Sequence, residues 1–152
     1  MIRKAEEKDV DQILNLLKQI SDIHYKARPD IFKKRPKYTK EELLFILNSE
    51  YTPVFVYTDG DKVLGHLFLI IVEDSNPRLN DRRYIFIDDL CVDSVERNKG
   101  IGKSLMEYAE TFAKSLKIDT IELNVWHFKE NAEEFYKELG YNTQCSILEK
   151  KL

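Results

Sequence analysis

At 152 residues and a formal net charge of −3, the chain suits one compact domain, residues 1–152, long enough to bury a core, and gives no reason to expect nucleic-acid binding. Two cysteines, Cys91 and Cys145, are too few for a disulfide framework and fit a reducing, cytoplasmic setting. The N-terminus has no apolar signal region and no apolar run is long enough to span a bilayer, so neither export nor a membrane partner is expected.

Met1 to Ala5 reads as a short opening strand. From about Lys8 to Tyr25, the apolar residues Val10, Ile13, Leu14, Leu16, Leu17 and Ile20 recur at helical spacing. The next segment, His24 to Lys37, carries six Lys/Arg against one acid, and its two prolines prevent a long helix. It is either a solvated connection or a flap whose aromatic and cationic residues face a ligand. Thr39-Lys40-Glu41-Glu42 is a capping box that starts a second helix through Leu43, Leu44, Ile46 and Leu47.

Val54 to Tyr57 reads as a strand, Asp59-Gly60 as a hairpin turn, and Val63 to Val72 as the returning strand. His66 lies in that second strand and is most simply a side chain with a local partner. Glu73 to Arg83 is a polar loop. Tyr84 to Val92 is apolar on both faces apart from Asp88 and Asp89, the pattern of a strand covered on each side. Cys91, flanked by apolar residues, reads as a buried structural thiol rather than a nucleophile.

Arg97, Gly100 and Gly102 then make R-x-x-G-x-G between that strand and a helix carrying Leu105, Tyr108, Ala109, Phe112 and Leu116. Such a junction suits an anion. The first helical N–H groups lack intrahelical partners, the helix dipole adds partial positive charge, and glycine lets a ligand approach the backbone. A P-loop would need glycine at position 97, which is Arg97, and a dinucleotide fingerprint would need glycine at position 105, which is Leu105.

Ile121, Leu123 and Val125 alternate with polar residues in a further strand. A last helix from about Lys129 stripes Ala132, Phe135, Tyr136 and Leu139 before Gly140, and residues from about Asn142 to Leu148 are expected to form a final strand. The order β-α-α-β-β-β-α-β-α-β predicts one mixed, twisted sheet with helices on both faces.

The strand–turn–R-x-x-G-x-G–helix stretch resembles the pyrophosphate loop of the GNAT superfamily of acetyl-CoA-dependent N-acetyltransferases. The stretch from Trp126 to Tyr141 is similar to a second hallmark of that family, N-x-x-A-x-x-x-Y ending in a Gly-aromatic pair. Ala132, Phe135, Tyr136, Gly140 and Tyr141 match it. The two stretches together cover about Phe86 to Tyr141, while the first half of the chain matches only in element order. The resemblance implies an α/β (α+β) GNAT-type three-layer fold on a mixed, mostly antiparallel sheet, and an acyltransferase that moves acetyl from acetyl-CoA to an amine acceptor. It implies that Arg97, Asn98, Lys99, Gly100, Ile101, Gly102 and Lys103 receive the pyrophosphate, and that the backbone of Leu90, Cys91 and Val92 holds the pantetheine arm. A backbone N–H near Cys91 or Val92 would polarise the thioester carbonyl, a contribution of about 3 kcal/mol where such donors have been removed from other enzymes.

The family's cofactor-binding asparagine would fall at position 129, which here is Lys129. Asn131 lies two places further, about 200° round a helix, and is not in register with it. Both stay as cofactor-binding candidates. Tyr136 matches the general acid that protonates the departing thiolate, although the same stripe would suit a core tyrosine. An alkyl amine of pKa ~10.4 is only about 0.1% free base at roughly pH 7.4, so a base is needed. Asp88 and Asp89 are the candidates, with Asp88 matching the member usually assigned, and strand alternation should point them to opposite faces. A structural pair is the other reading of the two aspartates. No residue looks like an activated nucleophile, so direct attack in a ternary complex is expected.

The acceptor stays open among a small amine, an amino acid or amine-bearing antibiotic, and a protein N-terminus. Assembly stays open as well, with a homodimer among the alternatives. The rival function is a non-catalytic acetyl-CoA-binding sensor, which Lys129 in place of asparagine keeps in view. Tyr136 and the Asp pair argue against it, because a pure binder needs neither acid nor base.

Overall fold

The computed structural model describes residues 1–128 and 132–152. Its sheet has five strands in spatial order: β1 (Ile2–Lys4), β2 (Val54–Asp59), β3 (Lys62–Asp74), β4 (Arg82–Val92) and β5 (Ile121–Leu123). The first four are antiparallel neighbours, and β5 adds parallel to β4. A parallel neighbour requires a long crossover, supplied by α3 (Ile101–Ser115). The other helices are α1 (Val10–Ala27), α2 (Lys40–Leu47) and α4 (Glu133–Glu138).

Strand alternation sorts the apolar residues into two cores. Val54, Val56 and Phe68 face Ile13, Leu16 and Leu17 of α1 and Leu43 of α2. Phe55, Leu67, Leu69, Ile85 and Ile87 face Ile101, Leu105, Met106 and Ala109 of α3 on the other side. The result is the expected mixed α/β fold of three layers. Among the described residues, no helix is long and apolar enough to cross a membrane.

Local signals account for most boundaries. Thr39 Oγ1 accepts from Glu42 N at 3.2 Å, and Thr39 N donates to Glu42 Oε2 at 2.8 Å, closing the capping box that starts α2. Gly140, at φ +91°, ends α4, with Tyr141 N donating to Tyr136 O and Gly140 N to Lys137 O. Pairing of β3 with β4 extends to Asp74 opposite Arg82 and shortens the expected polar loop from both ends.

Two expectations need correction. Residues 142–152 form no strand; they are exposed, and Ile147 and Leu148 are 96% and 92% accessible. Beside them, β5 offers only three residues, and two adjacent apolar side chains cannot share one face of a strand. The segment is held instead by side chains, Gln144 to Glu122 and Arg28 to Glu149. The second correction concerns the faces of β4. Its register slips by one against β3, with Phe68 opposite Asp89 and Leu69 opposite Ile87, so that Asp88 is the extra residue of a bulge. Ile85 and Ile87 face α3, whereas Cys91 faces α1. The two aspartates therefore do not take opposite faces as regular alternation would require.

The buried Asp9 carboxylate anchors the N-terminal strand. Arg3 Nη1 and Nη2 donate to its two oxygens at 2.6 and 2.8 Å, and Glu6 N donates at 2.8 Å. The bond from Arg3 holds Asp9 below the usual carboxylate range. Asp9→Ala should lower unfolding free energy by about 2 kcal/mol, measured by urea denaturation near neutral pH, because it removes the buried acceptor of the bonds from Arg3 and Glu6 N. Asp9's contribution is fully present above the unfolded carboxylate pKa of ~3.9 and disappears as pH falls through the lower folded value, so the two stability curves should converge in acid. Close packing sets a second constraint at Gly65 of β3, where a β-carbon would lie 2.9 Å from Cys91 O and 3.2 Å from Leu105 Cδ1. Gly65→Ala should cost about 1–3 kcal/mol in the same measurement.

Candidate active site

The bulge at Asp88 coincides with the point where β5 leaves β4. Their ladder pairs Ile85 with Ile121, Phe86 with Glu122 and Ile87 with Leu123, and then stops. Beyond it, Asp88 to Val92 keep β3 on one edge, through Leu67–Leu90, His66–Cys91 and Gly65–Val92, while the other edge has no strand partner among the described residues. Apart from Asp88 O and Val92 O, which accept from Lys37 and Arg97, backbone groups on that edge are left for a ligand that carries amides of its own. The run covers ~13 Å at the usual strand rise.

A tight turn closes the far end of this run. Asp93 caps it by accepting from Val95 N at 3.3 Å, and Arg97 Nε donates to Val92 O at 3.3 Å. Asn98 and Gly100 are left-handed, at φ +61° and +81°, and α3 begins at Ile101. The first backbone donor satisfied inside α3 is Ser104 N, bonded to Gly100 O, which leaves the N–H groups before it for an anion. Lys99 is paired with Glu96 at 2.8 Å, and Lys103 stands 3.9 Å from Glu107. Gly102 faces Phe135 and Val92, which a β-carbon would approach to 3.4 and 3.8 Å. The free edge of β4 and the start of α3 thus follow one another directly along the chain.

At the bulge, both carboxylates are already engaged. Asp88 Oδ1 is 2.8 Å from Lys37 Nζ, and its Oδ2 accepts from Tyr38 Oη at 2.5 Å. Asp89 Oδ2 is 2.5 Å from Nε2 of the fully buried His66. Tyr38 stacks on Phe68 at 5.7 Å, and His66 meets the same ring edge-on at 5.0 Å, so the partners of both aspartates converge on Phe68. Burial and the bond to Asp88 push the Tyr38 phenol well above its ordinary range. His66 Nδ1 is buried without a partner among the described residues. The Asp88 carboxylate is therefore not a vacant base as the molecule stands.

Tyr136 is half-buried on α4 against Phe135 and Tyr141. Burial pushes its phenol up to about 12, aided by the charge of Asp89. It keeps its proton throughout the neutral range, as an acid must. Cys91 is buried, with Sγ 3.5 Å from Leu16 O, and burial pushes its thiol up to about 12. That is the setting of a structural thiol rather than a nucleophile. Lys129 and Asn131 lie outside the described residues.

The basic segment after α1 folds back over this region. Phe32 stacks on His24 at 4.9 Å and meets Trp126 edge-on at 5.0 Å, while Trp126 stacks on Phe128 at 5.9 Å. Burial pushes His24 below its ordinary value. The flap is thereby docked against the segment that follows β5. Tyr38, Lys37 and His24 were not singled out from sequence as site residues. The available signal was their place in the aromatic, cationic segment just ahead of the Thr39 cap.

Comparison with known proteins agrees with this architecture. The acetyltransferase (GNAT) family profile matches residues 17–141, and the chain belongs to that family. Among its relatives, the L-amino acid N-acetyltransferase AaaT of Escherichia coli is 34% identical over 87 residues, covering 57% of this chain and 50% of that protein. An uncharacterized N-acetyltransferase of Lactobacillus delbrueckii subsp. lactis is 30% identical over 86 residues, 57% of this chain and 49% of that one. The chain spans about half the length of the curated relatives it matches. A mutant of the BH1408 protein from Bacillus halodurans superposes with a TM-score of 0.95 at 30% identity, covering 100% of this chain and 99% of that one. The aminoglycoside N-acetyltransferase AAC(6')-Iy, solved in complex with CoA, shares the fold with a TM-score of 0.73 at 14% identity, covering 100% of this chain and 98% of that one.

Gly102→Glu places a carboxylate at the helix start, where an anion would sit. Calorimetry should show acetyl-CoA binding abolished in this variant, with a cooperative unfolding transition as the control that it still folds, since the new side chain starts against Phe135 and Val92. Normal binding would remove the loop from the site.

Proposed function

We propose that this protein transfers an acetyl group from acetyl-CoA to a primary amine, by direct attack in a ternary complex in the cytoplasm. The observation that carries the reading is the free edge of β4 from Asp88 to Val92, running from a bulge with two carboxylates to a glycine-spaced helix start.

Acetyl-CoA, when bound, supplies an activated acetyl thioester. The start of α3, with the backbone of residues 97–103, receives its pyrophosphate, and the cations Arg97, Lys99 and Lys103 flank the phosphates. The backbone of Leu90, Cys91 and Val92 pairs with the amides of the pantetheine arm, and an N–H near Cys91 or Val92 polarises the thioester carbonyl. Asp88 takes the acceptor's proton once the acceptor's ammonium has replaced that of Lys37, one positive charge for another. Asp89, tied to His66, positions this end of β4. Tyr136, still protonated at neutral pH, gives its proton to the departing sulfur.

The acceptor is a single-site amine rather than a polycation. Lys37 already offsets the Asp88 charge, and Lys33, Lys34 and Arg35 stand exposed beside it. Similarity to AaaT makes L-amino acids the first class to screen. Amine-bearing antibiotics and protein N-termini follow.

The test is a screen for CoA thiol release with acetyl-CoA against a panel of amines. A turned-over amine, recovered as its N-acetyl product, is the expected result. With that acceptor, Tyr136→Phe should lower kcat about a hundredfold and leave acetyl-CoA affinity unchanged. Equal activity would remove the acid role.

A further inference from the structure

Lys37 holds the position that the proposed reaction reserves for its acceptor. Its Nζ lies 2.8 Å from Asp88 Oδ1 and donates to the Asp88 carbonyl oxygen at 2.7 Å. The ammonium also stands 5.6 Å from the centroid of the Tyr38 ring. Asp88 is the bulge residue at which β5 leaves β4, so this nitrogen sits at one end of the free edge, and α3 begins beyond the other. Nearby Lys33, Lys34 and Arg35 are exposed and make no ion pair among the described residues. Lys37 alone of these flap cations is delivered to a carboxylate on β4.

Placement of Lys37 is set by the chain on both sides. Upstream, Phe32 is docked on His24 and Trp126. Downstream, Tyr38 stacks on Phe68 and Thr39 caps α2. Yet the Lys37 side chain is 38% exposed, so packing does not seal it from a reagent in solution. A tethered amine held this way has the high effective concentration of an intramolecular reactant.

We infer that the Lys37 ε-amine is itself an acetyl acceptor, modified in cis when acetyl-CoA is bound and no external amine has displaced it. The inference rests on the acetyl-transfer reading above. Asp88 Oδ1 takes one proton from the ε-ammonium, and the nitrogen lone pair forms the bond to the thioester carbonyl carbon. The carbon–sulfur bond breaks, and its electron pair leaves on sulfur. A second proton from nitrogen reaches that sulfur through Tyr136 or water. The products are Nε-acetyl-Lys37 and the free CoA thiol, and the proton on Asp88 returns to solvent. Acetylation removes the charge that paired with Asp88, so the product releases the carboxylate.

The full chain, incubated with acetyl-CoA and no added amine, would be followed by intact mass and peptide mapping. The same preparation would be titrated with acetyl-CoA by calorimetry and assayed for thiol release with the amine panel. One acetyl group per chain, mapped to Lys37, is expected at a rate per chain independent of protein concentration. It should be absent from Lys37→Arg, about a hundredfold slower in Asp88→Asn, and suppressed by a good external acceptor. A readout free of acetyl-CoA is reductive methylation, which should label Lys37 more slowly than Lys33 or Lys34 in the natural chain and at an equal rate in Asp88→Asn. Thiol release with external amines while Lys37 stays unmodified would overturn the inference and leave the acetyl-transfer reading standing. Acetyl groups spread evenly over the exposed lysines, or a rate rising with protein concentration, would overturn it too. Absence of acetyl-CoA binding would remove both readings together.

Discussion

A one-residue slip in β4 governs the arrangement of the whole site. Before the bulge, Ile85 and Ile87 pack against α3, and β5 pairs alongside. After it, Cys91 turns towards α1, and β5 has parted from the strand. An inserted residue disrupts the ladder locally and increases twist, which fits a strand that separates from its neighbour at that point. The separation leaves backbone donors and acceptors on one edge without a ladder among the described residues. A fold of this size tolerates such an edge where a ligand completes it. The bulge, the free edge and the start of α3 follow one another within the stretch from Asp88 to Gly102.

Charge at the bulge is balanced in pairs that join distant parts of the chain. Asp88 is met by Lys37 and Tyr38 from the segment before α2, and Asp89 by His66 from β3. The flap carrying Lys37 is also tied down by its aromatic contacts with His24, Trp126 and Phe128. Opening the acceptor side would therefore mean exchanging a cation at Asp88 rather than exposing a bare carboxylate. In the proposed reaction, the acceptor's own charge would then be part of how it enters. It also explains why a basic flap and an acidic pair, which look contradictory in sequence, coexist.

Features carried by neighbouring residues were legible in the sequence. The Thr39–Glu42 cap, the Asp59-Gly60 turn, the glycine-spaced start of α3 and the Gly140 stop each depend on a few consecutive residues, and together they yielded the element order as far as α4 and the family. The bulge was not legible, because an inserted residue is defined only by the register of the partner strand. Strict alternation therefore misassigned the faces of Asp88 and Asp89. Partners of the two aspartates were hidden for the same reason, since Lys37 and His66 lie 51 and 23 residues away. The expected final strand failed because the local sequence says nothing about whether a neighbouring edge is long enough to pair.

The central claim is that the free edge of β4 and the start of α3 together form a site for an acyl-CoA. Calorimetric titration of the purified chain with acetyl-CoA, with desulfo-CoA and NADH alongside, addresses it most directly. The account predicts saturable binding of acetyl-CoA, binding of desulfo-CoA through the shared pyrophosphate and pantetheine arm, and none of NADH. Absence of acetyl-CoA binding, or equal binding of NADH, would contradict it.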